Sequence, residues 1–139
     1  MRCFLSYKTS ENNLSTMKEL MSSIRETLSS LGIDSYSILL DYVANDNDSG
    51  REFMDCAFSE IDKSDCLLVI QNDKERSEGM LMEVGYCIAK KIPVVIAKQD
   101  QVTDTYLPEM TEYAISWSTR DDLLKKLKTF NFNNLKSCL

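Results

Sequence analysis

The 139-residue sequence has no histidine, and that absence removes whole classes of chemistry. Without imidazole there is no Ser-His-Asp or Cys-His nucleophile pair, no HExxH zinc helix and no histidine general base. Catalysis, if any, must rest on carboxylates, thiols, hydroxyls, Lys or Arg side chains, or backbone dipoles. Long apolar runs are also missing. None approaches the roughly 18 residues of a spanning helix, so no membrane association is expected. The start, Met1-Arg2-Cys3-Phe4-Leu5-Ser6-Tyr7, turns polar too early for a secretory leader. Basic runs are absent, and 16 Lys+Arg against 22 Asp+Glu leave a net charge of −6. That balance argues against a nucleic-acid partner, but it leaves room for a small anionic ligand held by one or two local cations. The five cysteines (Cys3, Cys56, Cys66, Cys87, Cys138) include no CxxC pair, which speaks against a disulfide framework or a zinc site. Four lie within apolar or patterned segments, so free buried thiols and a reducing, cytoplasmic compartment are expected. No metal and no cofactor is implied.

What is present reads as one globular domain. The length suits a single core, and 43% hydrophobic with 27% charged residues is ordinary composition. Arg2 to Ser6 reads as a strand. Leu14, Met17, Leu20, Met21, Ile24, Leu28 and Leu31 recur every three or four residues, which predicts a helix ended by Gly32. Ile33 to Leu40 reads as a second strand and Asp41 to Gly50 as a polar loop. Phe53, Ala57, Phe58 and Ile61 mark a second helix. The uninterrupted apolar run from Cys66 to Ile70 suits a parallel strand covered on both faces. Ser77 opens a third helix to about Lys90, Ile92 to Ala97 is a strand, and Tyr113 to Trp117 a fifth. A last helix runs from Asp121 to Phe130. Residues 1–130 therefore form one domain, and 131–139 are an unpatterned C-terminal tail. Strict alternation of strand and helix predicts a doubly wound α/β sandwich: a mostly parallel five-stranded sheet in a flavodoxin-like or Rossmann-like order.

In such sheets ligands bind beyond the carboxyl ends of the strands, near the switch in strand order. Three segments should meet there: Ser6 to Ser10, Asp41-Tyr42, and the stretch from Asn72 to Glu83. The helix opened by Ser77 offers N-terminal amides and a dipole to an anion, and Gly79 allows close approach to its backbone. Glu83 stands beside the face formed by Met80, Val84, Cys87 and Ile88. Plainer readings stand beside these. Ser77 is a good N-cap whatever the function, Glu83 suits a surface carboxylate, and Ser6 and Lys8 suit simple loop residues.

The runs Lys63-Ser64-Asp65-Cys66-Leu67-Leu68-Val69-Ile70, Ser77-Glu78-Gly79-Met80-Leu81-Met82-Glu83-Val84-Gly85-Tyr86 and Lys91-Ile92-Pro93-Val94 resemble the nucleoside 2-deoxyribosyltransferase superfamily. That group includes N-glycosidases of nucleoside 5'-monophosphates. The likeness extends loosely from Met1 to about Leu127, and its sharp motif is Gly79 to Gly85. It implies that Glu83 is the nucleophile that attacks the anomeric carbon. Ser77, six residues earlier, falls where the nucleotide hydrolases carry a phosphate-binding serine, and Ser6-Tyr7-Lys8 resembles their Ser-x-Arg loop. By this resemblance Ser6, Lys8, Ser77 and the Gly79 amide hold the 5'-phosphate, Tyr7 packs on the base, and Asp41 hydrogen-bonds it. The partner is then a small nucleotide or nucleoside, and relatives of this kind are usually dimers or larger, with pockets finished by a neighbour.

Two departures stand out. The family's helical acid, eight residues before Asp65, is Ala57 here, and Asp55 should point elsewhere on the helix. The second motif glycine is Leu81. A rival resemblance, to TIR domains, rests on Phe4-Leu5-Ser6-Tyr7 and on Ser77 placed six before Glu83. It implies a module that cleaves NAD, whereas the missing acid at Ala57 motivates a non-catalytic reading, a TIR-like or nucleotide-sensing module that works through contacts with other proteins.

Overall fold

The computed structural model describes residues 1–10, 12–45, 47–72 and 77–136. Strand β1 (Arg2–Tyr7) leads into α1 (Leu14–Ser30), whose stripe of Met17, Leu20, Met21, Ile24 and Leu28 is buried. Gly32, at φ 76°, follows α1, and the N–H of Ile33 bonds back to the Leu28 carbonyl. A residue with a Cβ would be strained there, so the glycine makes the reversal into β2 (Asp34–Ser37) inexpensive. A one-turn helix, α2 (Ile38–Asp41), follows, then α3 (Gly50–Asp62) and β3 (Cys66–Gln71). The chain closes with α4 (Glu78–Lys90), β4 (Val94–Gln99), a 3-10 turn at Leu107–Met110, β5 (Tyr113–Trp117), α5 (Arg120–Thr129) and a 3-10 turn at Phe132–Asn134.

The five strands form one all-parallel sheet in the order β2-β1-β3-β4-β5. This is the expected doubly wound α/β class, with the order reversing between β1 and β3. Strand alternation sorts side chains onto two cores. Cys3, Leu5, Leu68, Ile70 and Val95 pack under α1 and α5. Phe4, Leu67, Val69 and Ile96 pack under α3 and α4. Every residue of β3 is buried, as its continuous apolar run requires.

Two strand boundaries shift from their expected places for a local reason. The second strand stops at Ser37 rather than Leu40 because the Ser37 hydroxyl turns to accept the N–H of Leu40, capping a helical turn. The fourth starts at Val94 rather than Ile92. Lys91 takes a left-handed conformation at the end of α4, and the Ile92 N–H bonds the Cys87 carbonyl, so Ile92 completes the helix cap. Phe132, in the stretch without a pattern, is 3% exposed and joins the core of Leu123 and Leu127. Cys3, Cys66 and Cys87 are buried free thiols and Cys56 is half-buried, whereas Cys138 lies outside the described residues. Among the described residues no helix is long and apolar enough to cross a membrane, and no side-chain group is arranged to hold a metal ion.

Candidate active site

The switch between β1 and β3 opens a cleft at the carboxyl ends of the strands. Alternation along β1 decides which side chains face α4. Phe4 packs on the α3–α4 side, so Ser6, two residues on, points the same way, beneath α4. From the helix side, Met80, Val84 and Cys87 define the buried stripe of α4, and Glu83 falls on it at a spacing of three from Met80. The two side chains meet. Ser6 Oγ donates to Glu83 Oε1 at 2.7 Å, and both are buried, at 1% and 8% exposure.

A carboxylate in that position is short of water. Burial pushes its pKa up to about 7, against the Ser6 hydrogen bond, which favours the ionised form. Glu83 is therefore a buried group near its own titration point at neutral pH, not the surface carboxylate that the pattern alone allowed. Such a group on the wall of a cleft is a common mark of a functional site.

Glu83 shares the cleft wall with Tyr7, Gly79 and Ser77. The Tyr7 hydroxyl lies 2.9 Å from Ser37 Oγ and also accepts the Leu39 N–H. These contacts fix the ring as a wall, and burial first of all raises the hydroxyl's pKa. Ser77 Oγ accepts the Met80 N–H at 3.2 Å, so the serine does cap α4, in the same place where it faces the cleft. A Cβ on Gly79 would come no nearer than 3.8 Å to Met54 Sδ. Lys8 lies instead on the wall of an adjoining cavity, which shares Ser77 and Met80 with the first.

Asp41 sits elsewhere. Its carboxylate pairs with the Arg25 guanidinium and accepts the Ser37 N–H at 2.9 Å, bracing the turn that ends β2, and it lines neither cavity. Burial raises its pKa, but the Arg25 and Ser37 hydrogen bonds outweigh that and hold the carboxyl below its usual value. The two departures also find places. Ala57 is buried and lines the Glu83 cleft, whereas Leu81 borders the adjoining cavity. Asp55 pairs with Arg51 on the exposed side of α3, as its helical position required.

Several lining residues escaped the sequence reading. Leu39, Phe53 and Met54 complete the apolar side of the Glu83 cleft, and Gln71 and Thr105 line its neighbour beside Asn72, the first residue of the third expected segment. Gln71 had a legible signal, a polar residue directly after a buried apolar run. The others carried none, because they come together only through packing.

A family profile described as "Nucleoside 2-deoxyribosyltransferase" matches residues 11–116. Among solved structures the chain is similar to a conserved protein from Enterococcus faecalis V583, with 21% identity and a TM-score of 0.65, over 92% of this chain and 97% of that one. It is similar to the CMP N-glycosidase BcmB of Clostridium botulinum, with 14% identity and a TM-score of 0.70, over 94% and 100% of the two chains. It is also similar to a 2-deoxyribosyltransferase from Bacillus psychrosaccharolyticus, again at 14% and 0.70, over the whole of both chains. At these identities the structural likeness establishes the fold. No curated protein matches the chain.

Proposed function

Because the chain belongs to the nucleoside 2-deoxyribosyltransferase family, we propose that it cleaves the N-glycosidic bond of a nucleoside 5'-monophosphate, or moves its deoxyribosyl group to another base, with Glu83 as nucleophile. One observation carries this reading: a carboxylate buried at the wall of an open cleft, hydrogen-bonded through one oxygen to Ser6 and raised to a pKa of about 7. The Ser6 bond holds Oε1 and orients Oε2 for attack. As the Glu83 oxygen bonds to the anomeric carbon, the carbon–nitrogen bond breaks and the base leaves with its electron pair. The transition state is oxocarbenium-like, so a poorly hydrated carboxylate beside it supplies strong charge stabilisation. Water or an acceptor base then attacks the same carbon, the glycosyl ester opens, and the Glu83 carboxylate is restored.

The 5'-phosphate is assigned to the N-terminus of the 13-residue α4, with the Ser77 hydroxyl, the Gly79 amide and Lys8 around it. Lys8 acts there as a point charge. Tyr7 and the apolar wall at Leu39 and Phe53 face the base. Asp41 enters this reading only through the turn that it braces.

The test is a panel of nucleosides, 5'-monophosphates and NAD, with free base followed by chromatography. Release from monophosphates alone supports the hydrolase, and a new nucleoside formed on adding a second base makes the protein a transferase. Nicotinamide release points to TIR-like chemistry instead. Tight nucleotide binding with no release makes the chain a sensor, the outcome that Ala57 in place of the family acid would favour. Glu83→Ala should abolish turnover, and near wild-type base release from that variant refutes the mechanism. Sedimentation of the purified chain tests the homo-oligomer that the family resemblance implied.

A further inference from the structure

Part of the Glu83 cleft wall rests on a single helical turn. Ile38 and Leu39, the first residues of α2, line the cleft beside Tyr7. Four residues are too few to hold a helix in water, so side chains from around it must fix this one. Ser37 Oγ accepts the Leu40 N–H at 3.4 Å, the Tyr7 hydroxyl accepts the Leu39 N–H, and the Asp41 carboxylate accepts the Ser37 N–H at 2.9 Å. Asp41 is itself anchored from α1. Arg25 donates from Nη1 to Asp41 Oδ1 at 3.0 Å and from Nη2 to Asp41 Oδ2. The same guanidinium also grips β2, with Nε donating to Ser35 Oγ at 3.2 Å and Nη2 to the Ser35 carbonyl at 3.3 Å. Arg25 thus ties the strand to the turn that follows it, and it lines neither cavity.

A guanidinium suits this task. Its planar fork meets both oxygens of one carboxylate and keeps a further N–H for a second partner, and it stays charged at any working pH. We infer that Arg25 is a positioning residue for base recognition. It acts through Asp41, fixing α2 so that Ile38, Leu39 and Tyr7 keep the shape of the wall that the base meets. The 5'-phosphate is assigned to a different element, the start of α4 at Ser77 and Gly79, so the Arg25 clasp should govern affinity for the base and not for the phosphate. This inference rests on the proposed function for which wall faces the base, and on the Arg25, Asp41 and Ser37 contacts for the link. The bonds made and broken at Glu83 are unchanged.

The experiment measures binding of CMP, UMP, AMP and GMP by calorimetry, with ribose 5-phosphate as a ligand that has no base, on the wild type, Arg25→Met and Arg25→Lys. The Arg25 side chain is 33% exposed, so neither variant opens the core. Arg25→Met should weaken the preferred nucleotide by about fivefold, the worth of a partly exposed two-armed ion pair, and leave ribose 5-phosphate unchanged. Arg25→Lys should recover little, because a point charge cannot hold Asp41 and Ser35 together. Asp41→Asn breaks the same link without touching α1, so its loss and that of Arg25→Met should not add in the double variant. Where base is released, the loss should appear in KM with kcat little changed. Nucleotide affinity that survives Arg25→Met, equal weakening of nucleotide and ribose 5-phosphate, or additive losses overturn the positioning role and leave the glycosidase reading standing. The expected binding pattern with no base released from any nucleotide overturns the glycosidase reading and keeps Arg25 in its role. A wild type that binds none of these ligands overturns both.

Discussion

Glu83→Gln should stabilise this protein, and more so the higher the pH. The amide keeps the size of the carboxylate and an oxygen to accept from Ser6 Oγ, but it carries no charge to bury. Between an ordinary glutamate at 4.5 and the value of about 7 that burial produces, the ionised form is disfavoured in the folded state by about 3 kcal/mol. The direction follows from linkage. Below 4.5 the side chain is protonated whether the chain is folded or not, and nothing is lost. As pH rises through 4.5 the unfolded chain ionises first, which draws the equilibrium toward unfolding until the folded group ionises near 7. The glutamine variant should therefore gain on the wild type by about 3 kcal/mol between pH 4 and pH 8.5, most of it before pH 7. Urea unfolding at four or five pH values reads this directly. With an m-value of about 2 kcal/mol/M, the gap between midpoints should widen by about 1.5 M. Titration of every other group is common to both proteins and cancels in the difference. A gap that stays constant to within about 0.5 kcal/mol across that range would show that Glu83 is not a desolvated carboxylate, and the case for a buried nucleophile would fall with it. The same variant should be catalytically dead, so gain of stability and loss of function would coincide at one atom pair.

Further tests follow from the same geometry. The acid limb of kcat/KM should rise with pH through about 7, because the proposed mechanism needs Glu83 ionised. Ser6→Ala removes the hydrogen bond that lowers that pKa, so the limb should move to higher pH; an unmoved limb with reduced rate would mean that Ser6 does not tune the carboxylate. Lys8→Ala should weaken monophosphate binding by about 1–3 kcal/mol, as for a charge-assisted contact, while nucleoside binding changes little. Equal losses by calorimetry would remove Lys8 from the proposed phosphate site. Phe132→Ala should lower unfolding free energy by about 3 kcal/mol in urea, because the ring is buried against the α5 core. A near-neutral result would mean that the residues after α5 contribute no packing.

The layered fold was legible because its causes are local. A stripe at three- and four-residue spacing has only one face to bury, and an apolar run of β3's length in an alternating chain must lie in a sheet covered on both sides. Boundaries were less legible where a single side chain or backbone angle decided them, as with the Ser37 cap and the left-handed Lys91. Phe132 shows the same limit, since one aromatic has no periodicity to read.

For the site, the chain order alone carried the residue types: no histidine, a glutamate six residues after a capping serine, and a first-strand loop with one lysine. Their relations came from folding. Ser6 and Glu83 are 77 residues apart and meet because β1's alternation and α4's helical phase converge at the switch in strand order. The same convergence strips Glu83 of water and so sets its pKa. It also pairs Asp41 with Arg25 and leaves the Gln71 and Asn72 oxygens unmatched. Spacing along a chain reports which face a residue takes on its own element; desolvation and partners depend on what the other elements bring to that face.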